Sequence, residues 1–170
     1  MWKALKVALA ASVYVSAYGA MEARAAADVG APAPALVATT LAGTTFDLSA
    51  ARGHVTIINF WATWCTPCRE EMPALDTFYR QHRGQGLVLI GVSEDHDRDK
   101  DDVVRVMNKF SYPATMLSDT KSNGFGKPKA LPVTYVIDAS GTVRLVLTPD
   151  KMPITAQMLE DDVAPLLNLK

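Results

Sequence analysis

The only two cysteines of the chain, Cys65 and Cys68, are separated by two residues. The thiolate is the reactive form of cysteine, and a free thiol has a pKa of about 8.5. Two thiols at this spacing can alternate between a dithiol and a disulfide, one sulfur attacking a partner and the other resolving the mixed disulfide. The pair therefore predicts thiol–disulfide exchange.

A zinc site, a structural disulfide and chance spacing are the alternatives to exchange. Zinc usually needs four ligands, whereas the chain has one cysteine pair, and its histidines are scattered without ligand spacing at His54, His82 and His96. A purely structural disulfide between residues so close in sequence would close a small loop and remove little chain entropy. Redox exchange is favoured over all three because the neighbouring sequence agrees with it.

A predicted strand and a predicted helix flank the pair. The apolar run 55–61 is rich in β-branched and aromatic residues, which is typical of a buried strand. The segment 69–83 has apolar residues at helical spacing. Pro67 suits the first turn of that helix, where its missing N–H costs nothing. We expect Cys65 at the helix N-terminus, where unpaired N–H groups and the helix dipole lower a thiol pKa, so Cys65 is the predicted attacking sulfur.

The stretch from Asn59 to Pro73 resembles the active site of thioredoxin-like proteins, and more narrowly that of the secreted TlpA/ResA group. The pattern of that group is W-C-x-P-C-x-x-E-x-P, and this chain matches it at Trp64, Cys65, Pro67, Cys68, Glu71 and Pro73. The resemblance extends from about Pro34 to near the C-terminus. It implies a thioredoxin fold and an exported thiol–disulfide oxidoreductase in which Cys65 and Cys68 form a redox-active disulfide.

Glu71 is a candidate proton-exchange group. In cytosolic thioredoxins a buried aspartate occupies the position of Asn59, whose amide cannot take up a proton. Glu71 lies three residues after Cys68, so the two share a face of the predicted helix. A partly buried carboxylate there would raise the pKa of Cys68 and exchange protons with it. The alternative is an ordinary acid in the first helical turn, like its neighbour Glu70.

The resemblance also implies a substrate-binding surface beside the cysteines. Pro132 matches the cis-proline that opens a strand facing the cysteine pair in thioredoxin-like proteins, and a cis bond there would present the Leu131 backbone to an extended substrate. A trans proline at a strand start is the alternative. Trp64 and Pro67 are expected to support the site, and Trp61 and Trp64 to serve in packing and substrate contact.

Residues 1–27 have the pattern of a secretory signal peptide. Lys3 and Lys6 precede an apolar run at 7–20, and two A-x-A cleavage sites follow. The run of 14 residues is shorter than the roughly 20 that a membrane span needs. We expect a periplasmic or secreted protein whose single domain is residues 28–170. The alternative is an uncleaved signal anchor in the inner membrane, facing the periplasm.

The remaining pattern predicts an α/β fold with a mixed central sheet. The expected elements are an N-terminal hairpin (36–41 and 45–48), a strand (87–92), a helix (99–110), a short strand (114–117), a polar loop (118–129), a second hairpin (130–138 and 142–147) and a last helix (154–167). This arrangement corresponds to the thioredoxin fold with an N-terminal β-hairpin extension.

Alternating aspartates at 95–101 superficially resemble a calcium loop. The sixth position, which requires glycine, is Lys100, and the twelfth, which requires an acid, is Val106. We therefore interpret 93–102 as a solvated loop running into a helix. No metal and no cofactor are expected.

The predicted function is reduction of protein disulfides outside the cytosol. The resemblance implies a membrane thiol–disulfide electron donor, and apocytochrome c as one substrate class, hence a role in cytochrome c maturation. A formal net charge of −1 gives no reason to expect nucleic-acid binding. Nothing in the sequence points to an interface, so we expect a monomer.

Three alternatives differ in chemistry or direction. A copper metallochaperone of this superfamily would use Cys-x-x-x-Cys and a distant histidine, and no histidine lies in 125–140. A thiol peroxidase would need Pro seven and Thr or Ser three residues before the cysteine, where this chain has Ile58 and Ala62. A periplasmic oxidant or isomerase would use the same motif, and the dipeptide Thr66-Pro67 does not decide the direction.

Overall fold

The computed structural model describes residues 27–151 and 153–168. The predicted signal peptide, residues 1–27, lies outside the described residues except for Ala27. No helix in the described ranges combines the length and the apolar character needed to cross a membrane.

Seven strands and four α-helices build the described part of the domain. The strands are β1 Leu36–Thr40, β2 Thr45–Asp47, β3 Thr56–Trp61, β4 Val88–Ser93, β5 Ala114–Asn123, β6 Val133–Ile137 and β7 Val143–Leu147. The helices are α1 Thr66–His82, α2 Lys100–Met107, α3 Ala156–Asp162 and α4 Ala164–Leu167. The strands form one sheet in the order β2-β1-β5-β4-β3-β6-β7. The predicted mixed α/β fold with an N-terminal hairpin is confirmed.

Strand β3 lies inside the sheet, parallel to β4 and antiparallel to β6. All six of its residues are buried, because both faces of the sheet are covered. Its side chains alternate between two cores. Ile57 and Trp61 join the core formed with α1, α2 and α3, whereas Ile58 and Phe60 join the core on the opposite face. The continuous apolar run in the sequence thus reflects burial on two sides.

The N-terminal segment crosses the face of the sheet opposite to α1, α2 and α3. The N–H of Gly30 donates to the Val143 carbonyl over 2.8 Å, at the outer side of β7. The chain then passes over the core, where Leu36 is fully buried, and enters β1 at the opposite edge of the sheet. Residues 27–47 therefore touch both edges.

Strand β5 corrects the prediction of a short strand at 114–117 followed by a polar loop. The strand continues to Asn123, because β1 pairs with it antiparallel, for example Leu36 with Asn123. Its second half keeps main-chain hydrogen bonds while its polar side chains are partly or fully exposed. The polar composition of 118–123 therefore wrongly predicted a loop where the chain forms a strand.

The predicted helix at 99–110 is shorter, since α2 covers only Lys100–Met107. The predicted last helix at 154–167 is divided at Val163 into α3 and α4, with Pro165 in the first turn of α4. Proline has no N–H to continue a helical ladder but is tolerated where a helix begins.

Replacing Phe60 by alanine is expected to lower the free energy of unfolding by about 3–5 kcal/mol. Phe60 is fully buried, and its ring centroid lies 6.0 Å from that of Tyr135 and 6.2 Å from that of Phe125. Urea denaturation of the oxidised protein measures the change. Phe125→Ala is the matched control: Phe125 is partly exposed, so its loss should cost less, and an equal cost would contradict this picture of the core.

Candidate active site

The two cysteines lie where β3 passes into α1. Cys65 is the N-cap residue of α1, and its Sγ accepts the backbone N–H of Cys68 at 3.3 Å. Pro67 occupies the first turn of the helix, as predicted. The two sulfurs are joined in a disulfide, and only 5% of Cys65 and 1% of Cys68 are exposed. Because the Cys65 sulfur lies at the positive end of a helix of 17 residues, negative charge on it is favoured there.

Glu71 lies on the buried face of α1 that also contains Cys68 and Met72. Its Oε1 accepts the N–H of Ile154 at 3.0 Å, and its Oε2 has no hydrogen-bond partner within the described part of the chain. Burial raises the pKa of Glu71, and the Ile154 hydrogen bond opposes this only in part. A carboxyl with a free oxygen and a raised pKa is suited to holding a proton.

Asn59 is buried in the middle of β3. Its Nδ2 donates to Oγ1 of Thr134, its partner on β6, at 2.8 Å, and its Oδ1 has no partner among the residues described. The position is therefore a neutral amide linked to the neighbouring strand. It supplies no carboxylate to the site.

Trp64 and Leu131 line one surface cleft of about 300 Å³. The Leu131–Pro132 peptide bond is cis, and Pro132 is buried directly before β6. Because Phe60 pairs with Val133, the start of β6 lies beside the end of β3. Trp64 is 68% exposed, which is unusual for a side chain of this size. The cleft therefore lies next to the end of β3, where the cysteines follow.

Residues 29–146 match the AhpC/TSA family. The chain belongs to the AhpC/TSA family. Thiol-disulfide oxidoreductase ResA of Geobacillus kaustophilus is 32% identical over 146 residues, covering 85% of this chain and 83% of the relative. Its namesake from Bacillus subtilis is 28% identical over 134 residues, covering 78% and 72%. These relatives confirm that this AhpC/TSA protein is a thiol–disulfide oxidoreductase of the ResA type.

A solved structure has the same fold. The crystal structure of a putative thiol:disulfide interchange protein DsbE from Chlorobium tepidum superposes on this AhpC/TSA chain with a TM-score of 0.67 at 23% identity. The superposition covers 83% of this chain and 99% of that one. The thioredoxin-like fold predicted from the sequence is confirmed.

Two acidic residues of this AhpC/TSA protein were wrongly predicted to lie in a solvated loop. Glu94 is 8% exposed, its Oε1 has no partner within the described residues, and burial raises its pKa. Asp95 is 7% exposed and accepts three hydrogen bonds, from Thr63 and Ser93. Both follow β4, which is parallel to β3, so they emerge at the same sheet edge as the cysteines. The position directly after a buried strand was the signal that could have identified them.

The charged residues further along have partners at the start of the second half of β5. Asp97 accepts from the Ser118 hydroxyl, and Lys100 pairs with Asp119 at 2.7 Å. Across residues 27–151 and 153–168, no group of three acidic, histidine or cysteine side chains is placed to hold a metal ion.

Proposed function

We propose that this thiol–disulfide oxidoreductase reduces disulfides of exported proteins outside the cytosol. Its strongest support is the position of the Cys65 sulfur, which caps α1 and accepts the N–H of Cys68. The same N–H would stabilise a Cys65 thiolate after reduction. A thiolate at this place is the attacking group that the reaction requires.

In the first step, the Cys65 thiolate attacks one sulfur of the substrate disulfide. The substrate S–S bond breaks, a bond forms between Cys65 and the attacked sulfur, and the other substrate sulfur leaves as a thiolate that takes up a proton. The result is a mixed disulfide between enzyme and substrate.

In the second step, Cys68 resolves the mixed disulfide. Its thiol gives up a proton and its sulfur attacks Cys65, which closes the Cys65–Cys68 disulfide and releases the second substrate thiol. The substrate gains two electrons and two protons in all, and the cysteine pair is oxidised. Glu71 is the proposed proton acceptor for Cys68, because its carboxyl lies on the same buried helix face and its pKa is raised by burial.

The cleft between Trp64 and Leu131 is the proposed binding place for the substrate chain. An exposed indole offers an apolar surface, and the backbone of Leu131 before Pro132 offers main-chain groups to an extended segment. Pro67 lies in the first turn of α1 between the two cysteines, where its side chain is exposed. Burial of Pro132 keeps this edge of the cleft in place.

A membrane thiol–disulfide donor is the proposed source of electrons, and apocytochrome c is one proposed substrate class. The relatives named ResA support the exchange chemistry, and the leader-like residues 1–27 support export to the periplasm or beyond, either cleaved or as a membrane anchor. We propose that the protein acts as a monomer and uses no metal, cofactor or nucleic acid.

The reduction potential of the Cys65–Cys68 pair tests the direction. The protein from residue 28 onward would be equilibrated with dithiothreitol or glutathione buffers, and the dithiol fraction measured. We expect a value near or below that of thioredoxin, about −270 mV, because a thiol reductase must give up its electrons readily.

A value near that of DsbA, about −120 mV, would contradict the reductase and indicate an oxidant of newly exported proteins. The Cys65→Ser variant, which cannot form the intramolecular disulfide, is the control for signals that arise elsewhere in the chain.

A further inference from the structure

We infer that Asp95 is a positioning residue that fixes the turn before the cysteines and thereby orients Trp64 for protein substrates. This inference rests on the proposed function, because it concerns how the same site contacts its substrate. Asp95 lies outside the Cys-x-x-Cys motif, thirty residues further along the chain.

The carboxylate of Asp95 holds Thr63 through both of its oxygens. Oδ2 accepts the backbone N–H of Thr63 at 2.9 Å, and Oδ1 accepts the Thr63 hydroxyl at 2.6 Å. The Ser93 hydroxyl donates to Oδ2 at 2.7 Å, and the Asp95 N–H donates back to Ser93 Oγ at 3.1 Å. Asp95 thus links the end of β4 to the turn that follows β3.

The sheet places the two segments side by side. Trp61 and Ser93 are paired as the last residues of the parallel strands β3 and β4. The N–H of Glu94 donates to the Trp61 carbonyl at 2.8 Å, so the ladder continues one residue beyond the strands. Asp95 is therefore brought opposite Thr63 by main-chain geometry, and its side chain closes the remaining gap.

Trp64 needs such support because its own side chain has little. It is 68% exposed and follows Thr63 directly, so its direction depends on the backbone of the turn. Asp95 is 7% exposed and its oxygens are occupied by Thr63 and Ser93. It is therefore placed to act on a substrate through Trp64 rather than by touching it.

The test compares a protein disulfide with a small one. Wild type and Asp95→Ala would be reduced with dithiothreitol and freed of it. Single-turnover rates would then be measured with insulin and with 5,5′-dithiobis(2-nitrobenzoate). We expect Asp95→Ala to slow the insulin reaction about tenfold or more while the small disulfide reacts within about twofold of the wild-type rate, because a misplaced contact residue penalises only the substrate that uses it.

Two further variants assign the effect to Trp64. Trp64→Ala should slow the insulin reaction similarly, and adding Asp95→Ala to it should change little, because residues that act as one unit are not additive. Asp97→Ala is the matched control, since Asp97 is exposed and hydrogen-bonds to Ser118 instead of the turn. If Asp95→Ala does not fold, Thr63→Val removes the hydroxyl donor alone and should still slow insulin selectively.

Three outcomes would overturn the inference. Asp95→Ala could slow both substrates equally, or its effect could add fully to that of Trp64→Ala. Alternatively, Asp95→Ala and Thr63→Val could both leave the insulin rate unchanged. These outcomes are distinct from failure of the proposed function. In that case the reduced wild-type protein itself would leave the insulin disulfides intact.

Discussion

Thiol–disulfide exchange is expected to disappear in a Cys65→Ser variant. A serine hydroxyl at the N-cap can still accept the N–H of Cys68, so α1 should keep its N-terminus. It cannot form a disulfide with a substrate, so the first step has no nucleophile. Insulin reduction measured by turbidity should fall to the uncatalysed rate, while circular dichroism remains that of the reduced wild type.

The Cys68→Ser variant should behave differently. Cys65 still attacks, but nothing resolves the product, so a mixed disulfide with the natural partner should accumulate. Non-reducing electrophoresis of a cell extract, followed by mass spectrometry, would identify it. An unchanged exchange rate in either serine variant would refute the assigned order of attack.

Replacing Glu71 by glutamine should lower the pKa of Cys68 and slow resolution at neutral pH. The charge of a buried carboxylate on the same helix face opposes a second negative charge on Cys68, and removing it should shift the thiol by about one unit or more. Separately, loss of the proton acceptor should lower the rate of the second step, in which Cys68 gives up its proton. NMR titration of the reduced protein measures the shift, and the pH profile of the second step measures the rate.

Glu70→Gln is the matched control for this variant. Glu70 is the preceding residue of α1 and is exposed, so its substitution removes the same charge from the same helical turn. It should leave the Cys68 pKa nearly unchanged, because solvent screens the charge. Equal shifts of the Cys68 pKa in the two variants would show that Glu71 acts only as an ordinary acid in the first turn of the helix.

The pH dependence of stability follows from the same carboxyl group. The pKa of Glu71 is raised by burial above its ordinary value of 4.5, so the folded protein holds this proton more tightly than the unfolded chain. Its contribution to the free energy of unfolding therefore increases as pH falls through the raised pKa and stops changing below about 4.5. Urea denaturation of oxidised Glu71→Gln should lack this increase, whereas Glu70→Gln should retain it.

The centre of the site could be predicted because its signals are local. The apolar run at 55–61, the cysteine spacing and the helical period after it all lie within thirty residues. The contact between Glu71 and the N–H of Ile154 joins residues 83 positions apart. No periodic pattern marks such a pair, so the sequence could suggest a role for Glu71 but not the group that holds it.

Glu94 and Asp95 show how composition can mislead. Both belong to a densely charged stretch, and charge usually indicates exposure to water. The two residues directly after β4 are buried instead, because other groups of the chain face their oxygens: Thr63 and Ser93 donate to Asp95, and Lys127 lies 3.8 Å from Oε2 of Glu94. Strand β5 was misjudged for a related reason, since its polar half is held by the β1 backbone rather than by side-chain burial.

The path of residues 27–47 also bears on self-association. Open sheet edges invite strands of other molecules to pair with them. The main chain at Gly30 occupies part of the β7 edge, and at the other edge β1 covers β5 and leaves the three-residue β2 outermost. One N-terminal segment therefore shortens the free strand edge on both sides of the sheet, and a chain lacking residues 27–47 would expose the outer sides of β5 and β7 to strands of other molecules.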